Sequence, residues 1–236
     1  MNKSMLVGRE NEIESIKKLM ENKSNIIIFG KEGTGKSEII RDILSTGTKK
    51  FLFSPESCNF KNTLLNLIIS GGIQKENTKN MNLSSLKKTI FKLLDNGYDY
   101  IIFDHLCTVG PRYLAFFQYL IHKRIPVLIV SQGNEKKHIG RLWMTASLFE
   151  KVKIDNLDMQ KSYLLIENLI RGFSLKIVKS DDFKREIFKY SGGNPKVIIT
   201  LCKLARETKY KTGNSLNVWL MNLDRKIYEA TGKNKL

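Results

Sequence analysis

Short, unbroken apolar runs alternate along this chain with stretches whose apolar residues recur every three or four positions. A continuous run of four or five apolar residues suits a strand buried on both faces, and the longer recurrence suits an amphipathic helix. Read this way, Glu10–Met20 is a helix, with Ile13, Ile16, Leu19 and Met20 on one face, and Asn25–Phe29 is a strand. Helix and strand then alternate: Ser37–Leu44 helix, Lys50–Phe53 strand, Lys61–Ile69 helix, Leu83–Leu94 helix, Tyr100–Phe103 strand, Arg112–His122 helix and Pro126–Val130 strand. Lys151–Ile154 is a short fifth strand, and the polar Gln74–Asn82 reads as a surface loop. Ser84 and Ser85 stand near the start of the Leu83–Leu94 helix. Strands separated by helices imply crossover connections, hence a parallel sheet.

The pattern changes after Asp155. Met159–Leu169, Asp181–Tyr190, Pro195–Leu204 and Leu216–Tyr228 all carry helical spacing, and Leu175–Val178 is the only weak strand candidate. The expected organisation is an α/β core over 1–157 and a helical part over 158–236, without internal repeats or low-complexity tracts.

At 236 residues the chain can bury one sizeable α/β core with an appendage. No apolar run reaches bilayer-spanning length, and the opening MNKSMLVGRENEI has no apolar leader core. Cys58, Cys107 and Cys202 lack CxxC spacing, which suggests buried thiols in a reducing compartment, and a cytoplasmic location. Forty Lys and Arg against 23 acids give +17 and a pI near 9.7. Such an excess favours polyanions, nucleic acid before anionic lipid, although a lysine-rich solvated surface produces the same count.

Gly30–Ser37 reads GKEGTGKS, a G-x-x-x-x-G-K-S pattern set between a predicted strand and a predicted helix. Its glycines let successive backbone N–H groups face one anion, and the helix start adds its positive dipole end. Lys36 can reach the β- and γ-phosphates and Ser37 can ligate Mg²⁺. Asp104 closes the Tyr100–Phe103 strand, where a carboxylate can hold the Mg²⁺ shell.

Here the sequence resembles the AAA+ ATPases, in the branch that includes origin-recognition initiators, STAND signalling ATPases and small transposition-regulator ATPases. LVGRENEI (Leu6–Ile13) resembles their N-terminal box, GKEGTGKS the Walker A motif and IIFD (Ile101–Asp104) the Walker B motif. VLIVSQG (Val127–Gly133) places Ser131 where sensor 1 ends its strand, and SGGNPKVI (Ser191–Ile198) resembles the turn of the sensor 2 region. The resemblance implies a five-stranded parallel sheet of order 5-1-4-3-2, with a C-terminal helical lid. It implies bound ATP and Mg²⁺, with Val7, Gly8 and Arg9 at the adenine and the Gly30, Glu32, Gly33, Thr34, Gly35, Lys36 and Ser37 loop at the phosphates. Ser131 would sense the γ-phosphate or orient water. Lys196 stands where the lid presents a basic residue, usually arginine, and helix-start solvation is the alternative. Arg141 lies where such rings place an arginine finger, with a surface arginine as the alternative.

The family usually has a water-polarising glutamate where His105 stands. An imidazole can accept a proton, but Mg²⁺ and Lys36 nearby would keep it neutral, a weaker base. Glu56 follows the second strand at the implied sheet edge, and Glu32 lies in the loop itself; neither is a compelling substitute. Two readings follow. One is an ATP-binding, DNA-associated assembly or regulatory ATPase with slow or partner-stimulated hydrolysis, forming an ATP-dependent homo-oligomer and engaging a protein partner. The other is a non-hydrolysing signalling switch or scaffold of STAND type.

Overall fold

The apolar runs form five parallel strands: β1 Ile26–Phe29, β2 Phe51–Ser54, β3 Tyr100–Phe103, β4 Val127–Ser131 and β5 Glu150–Lys153. They are ordered β2-β3-β4-β1-β5, which is the implied 5-1-4-3-2 order read from the other edge. The computed structural model describes residues 6–46, 49–212 and 215–232. The opening Met1–Met5, part of the stretch read as lacking a leader core, and the last four residues lie outside the described residues.

The chain divides into two compact units. One holds Asn11–Lys31 and Lys36–Ile154; the other holds the chain up to Glu10, Glu32–Gly35 and everything from Asp155 onward. In the sheet unit the helices are α1 Glu10–Glu21, α2 Lys36–Thr46, α3 Phe60–Ser70, α4 Leu83–Leu94, α5 Pro111–His122 and the short α6 Lys136–Ile139. Gln74–Asn82, expected as a loop, contains a single 3-10 turn at Lys75–Thr78, and a longer 3-10 stretch covers Arg141–Leu148. β3 and β4 are buried along their length, and β1 over Ile26–Ile28, because both faces are covered, so their sequences run apolar without alternation. β5 is different: Glu150, Lys151 and Lys153 are exposed, and it forms the outer edge beside β1.

α5 begins with Pro111 at its first turn after Gly110, a position that needs no backbone donor. Its buried face sets Phe117 4.9 Å from Phe103 and 5.0 Å from Tyr113, ring to ring. Each such ring is worth about 1.5–3 kcal/mol of burial, which anchors the end of β3. α3 and α4 start on side-chain caps from Asn59 and Asn82, which accept from the N–H groups of Asn62 and Ser85. Asn82 therefore caps α4; Ser84 and Ser85 lie inside the helix.

The other unit is helical: α7 Met159–Gly172, α8 Ser180–Ser191, α9 Pro195–Leu204 and α10 Val218–Thr231. Its own core gathers Leu165, Ile166, Ile187, Ile198, Leu201, Tyr210 and Met221. Leu175–Val178 is irregular: no strand among the described residues pairs with it. A small antiparallel pair, β6 Lys211–Thr212 and β7 Ser215–Leu216, precedes α10, so Leu216 ends a strand and the helix starts after its Asn217 cap. Tyr210 is fully buried and donates its hydroxyl to Asp224 at 2.8 Å, and Lys209 reaches the same oxygen at 3.0 Å.

Candidate functional site

The loop Gly30–Ser37 leaves β1 and enters α2, as the motif requires. Gly33 (φ 79°) and Gly35 (φ 95°) both lie in the left-handed region. That backbone is costly for any residue with a Cβ and is why the motif spends glycine there. The Lys36 ammonium curls back on the loop, donating to the carbonyls of Gly30 at 2.6 Å and Lys31 at 2.8 Å. Ser37 follows in the first turn of α2.

Sheet register places the neighbouring candidates. Phe29 pairs with Ser131, so Ser131 and the loop entrance stand side by side. Phe103 pairs with Ile129, and the Leu106 N–H donates to the Val130 carbonyl, so Asp104 emerges beside the end of β4. Asp104 is 4% exposed; its N–H donates to the Ser54 carbonyl, and its Oδ1 accepts from the His105 N–H at 2.9 Å. Ser131 is 2% exposed and donates its hydroxyl to the Gly133 carbonyl at 2.8 Å. His105 is exposed and adopts φ 49°, a left-handed conformation that histidine enters more readily than most residues with a Cβ. Glu56 follows the edge strand β2 and is exposed.

Arg141 is exposed and opens the 3-10 stretch; its N–H donates to the Val109 carbonyl. The chain reaches it through Gly140 at φ 56°, where a Cβ would come within 2.5 Å of the Val109 nitrogen. Only glycine allows this approach, which fixes where Arg141 leaves the surface.

The helical unit holds the remaining candidates. Val7 packs against its core, and Gly8 (φ 75°) abuts the aliphatic stem of Lys161. Arg9 is 4% exposed and donates to the carbonyls of Thr34 at 2.9 Å and Asp155 at 2.6 Å. A guanidinium satisfied by carbonyls in this way ties the N-terminal box to the loop tip. At the start of α9, Asn194 caps the helix and also donates to the Glu32 carbonyl at 2.8 Å, while the Lys196 N–H donates to the Gly33 carbonyl at 3.1 Å. The Lys196 ammonium pairs with the Glu32 carboxylate at 2.7 Å, both side chains well exposed. Sequence reading had not singled out Asn194; its sole signal was the position before Pro195 at a helix start.

The cysteines depart from expectation. Cys58 and Cys107 are exposed and joined as a disulfide; Cys202 alone is a buried free thiol, its pKa pushed up to about 12 by burial. The cause is sheet register. β2 and β3 pair Ser54 with Phe103, a bridge continues to Ser57 and Leu106 at the same offset of 49, and Cys58 and Cys107 keep it.

The donor set suits a magnesium nucleotide: an ammonium and a hydroxyl at the loop's end, and a buried carboxylate two strands away. Among the described residues no three His, Cys, Asp or Glu side chains converge on one point. Mg²⁺ needs no such cage when phosphates supply most of its ligands. No helix among the described residues is long and apolar enough to cross a membrane.

No protein-family model matches the chain, and no curated protein matches it. Solved structures do. A Walker-type ATPase of Pyrococcus abyssi aligns at TM-score 0.65 and 14% identity, covering 98% of this chain and 75% of that one. The ORC1 protein of Aeropyrum pernix, solved in complex with DNA, aligns at 0.67 and 11%, covering 97% and 68%. Cdc6p of Pyrobaculum aerophilum aligns at 0.65 and 16%, covering 87% of this chain and 63% of that one. At these identities the likeness is one of fold alone: a five-stranded parallel sheet with surrounding helices and a helical C-terminal region, the AAA+ type of P-loop NTPase fold.

Proposed function

We propose that this protein binds ATP with Mg²⁺ on the Gly30–Ser37 loop, hydrolyses it slowly or under stimulation by a partner, and acts as a DNA-associated assembly or regulatory ATPase. The observation that carries this is the loop itself: two left-handed glycines between β1 and α2, ending in Lys36 and Ser37, with Asp104 at the close of β3. Lys36 would exchange its two carbonyl partners for β- and γ-phosphate oxygens. Ser37 and Asp104 would hold Mg²⁺, which when bound neutralises phosphate charge. Val7, Gly8 and Arg9 would flank the adenine. Ser131 would report the γ-phosphate, Lys196 would leave Glu32 for it, and Arg141 would serve a neighbouring copy's site.

Slow turnover follows from His105. Its imidazole stands at the strand end where the resembled family carries glutamate, and loss of a general base typically removes about 10²–10⁴ in rate.

DNA contact is supported by the +17 charge and by exposed Lys61, Arg112, Lys136 and Arg141, which all follow the C-terminal ends of sheet strands. Such contacts would be to phosphates and would carry little base readout. The test is phosphate release by wild-type protein with and without duplex DNA, beside DNA retention across a salt series. Affinity should fall by about 0.9 log units per log unit of salt for each phosphate neutralised. Retention that survives high salt would count against the reading.

A switch of STAND type is the second reading, and His105 favours it. It requires ATP-dependent partner capture with no phosphate release, with or without DNA.

A further inference from the structure

We propose that Cys58 and Cys107 form a thiol–disulfide exchange site that latches the turn carrying His105. The two cysteines lie on separate loops, after β2 and after β3, with Cα atoms 4.6 Å apart. The Cys58 sulfur rests 3.2 Å from the His105 carbonyl oxygen, and Cys107 follows His105 by two residues. Backbone pairs hold the turn at Leu106, through Val130, and at Val109, through Ile139. Between these points Cys107 and Thr108 are exposed, and the sulfur bridge ties Cys107 to the loop after β2. His105 itself holds φ 49°, a conformation that persists only where its surroundings enforce it. The bridge is the one covalent restraint on that turn.

Both cysteines are exposed, so a small dithiol can approach the bridge. One thiolate of the reductant attacks a sulfur of the bridge, the Cys58–Cys107 bond breaks and a mixed disulfide forms. The reductant's second thiol then closes on its own first sulfur. Cys58 and Cys107 gain two electrons and two protons, and the dithiol leaves as a cyclic disulfide. Cys202 takes no part, being fully buried.

Release of the bridge loosens Cys107 and Thr108 beside the turn and lets His105 shift between its backbone anchors at Asp104 and Leu106, while leaving Lys36, Ser37 and Asp104 in place. Catalytic placement is sensitive to displacements of about 1 Å, and the expected loss of ATP turnover is roughly ten-fold with nucleotide affinity unchanged. The turnover arm rests on the role given to His105 above; the conformational arm does not.

The experiment compares oxidised full-length protein, the same protein reduced with dithiothreitol, and the Cys58→Ser/Cys107→Ser double variant. Native-state alkylation counts accessible thiols, hydrogen exchange reads the amides of 105–109, and phosphate release and a fluorescent ATP analogue read function. Reduction should expose two thiols, speed exchange of 105–109 and lower turnover, and the double variant should match the reduced protein and ignore dithiothreitol. Faster exchange without ATP turnover in either state supports the latch and refutes the catalytic reading of His105. Two thiols that label before any reductant is added, or exchange and turnover that both stay constant on reduction, overturn the proposal.

Discussion

Replacing Gly33 with alanine separates two costs that the phosphate loop keeps low. The first is conformational: φ 79° is left-handed, and a residue with a Cβ pays roughly 1–2 kcal/mol there. The second is steric. The added methyl would lie 2.6 Å from Asn194 Oδ1 and 2.7 Å from Lys196 Cβ, far inside contact distance. Asn194 must then move, weakening its bond to the Glu32 carbonyl and its cap on the Val197 N–H. Each bond is worth about 0.5–1.5 kcal/mol, so Gly33→Ala should cost roughly 2–5 kcal/mol. Gly35 provides the control: its φ is 95°, but nothing lies within 4 Å of an added Cβ. Gly35→Ala should cost only the conformational part, roughly 1–2 kcal/mol. Urea denaturation without nucleotide measures both, provided the slope of the transition stays constant. In an Asn194→Ala background the cost of Gly33→Ala should shrink by about 1 kcal/mol, because the displaced amide is gone. Equal costs for the two glycines, or a Gly33→Ala cost unaffected by Asn194→Ala, would falsify the claim that the loop tip is packed on the start of α9.

Lys36→Ala should abolish tight ATP binding in equilibrium titration, since it removes an ammonium held against the loop carbonyls; unchanged affinity would sink the phosphate assignment. His105→Glu should raise steady-state phosphate release above wild type and Asp104→Asn should lower Mg²⁺-dependent binding or turnover, with His105→Ala binding ATP normally; brisk wild-type turnover slowed by His105→Glu would make histidine the tuned group. Tyr210→Phe should cost about 1–2 kcal/mol in thermal or urea unfolding, as it deletes a buried donor to a carboxylate. The same variant should flatten the acid limb of stability. The Tyr210 hydroxyl and then Lys209 hold the Asp224 carboxyl below its usual range, so its contribution is present above the unfolded pKa of about 3.9 and is lost as pH falls through the lower folded value.

The sheet was readable from the sequence because its central strands are buried on both faces, and four apolar residues in a row leave little else for Ile26–Phe29 or Tyr100–Phe103 to be. Its order came from the resemblance, and the strand pairing agrees. Long-range partners were not readable. Arg9 donates to the carbonyls of Thr34 and Asp155, groups every residue carries. The Glu32–Lys196 pair joins residues 164 apart, and each looked like an ordinary surface charge. The disulfide was misread because CxxC spacing is a local signal, whereas this bridge arises from two parallel strands in register. The Lys211–Leu216 hairpin was missed because strands of two residues have no periodicity to detect.

The charged outer strand has a consequence for how copies of this protein meet. A parallel sheet ends in a row of unspent backbone donors and acceptors, and a flat apolar edge invites another chain to continue the ladder. At β5 an arriving strand would have to lay its backbone between Glu150, Lys151 and Lys153, stripping water from charges and crowding two ammonium groups. Assembly by ladder extension is therefore blocked on that side. On that side, ordered association of copies is left to side-chain surfaces, where ligands and partners can control it, instead of to backbone pairing, which no ligand can easily undo.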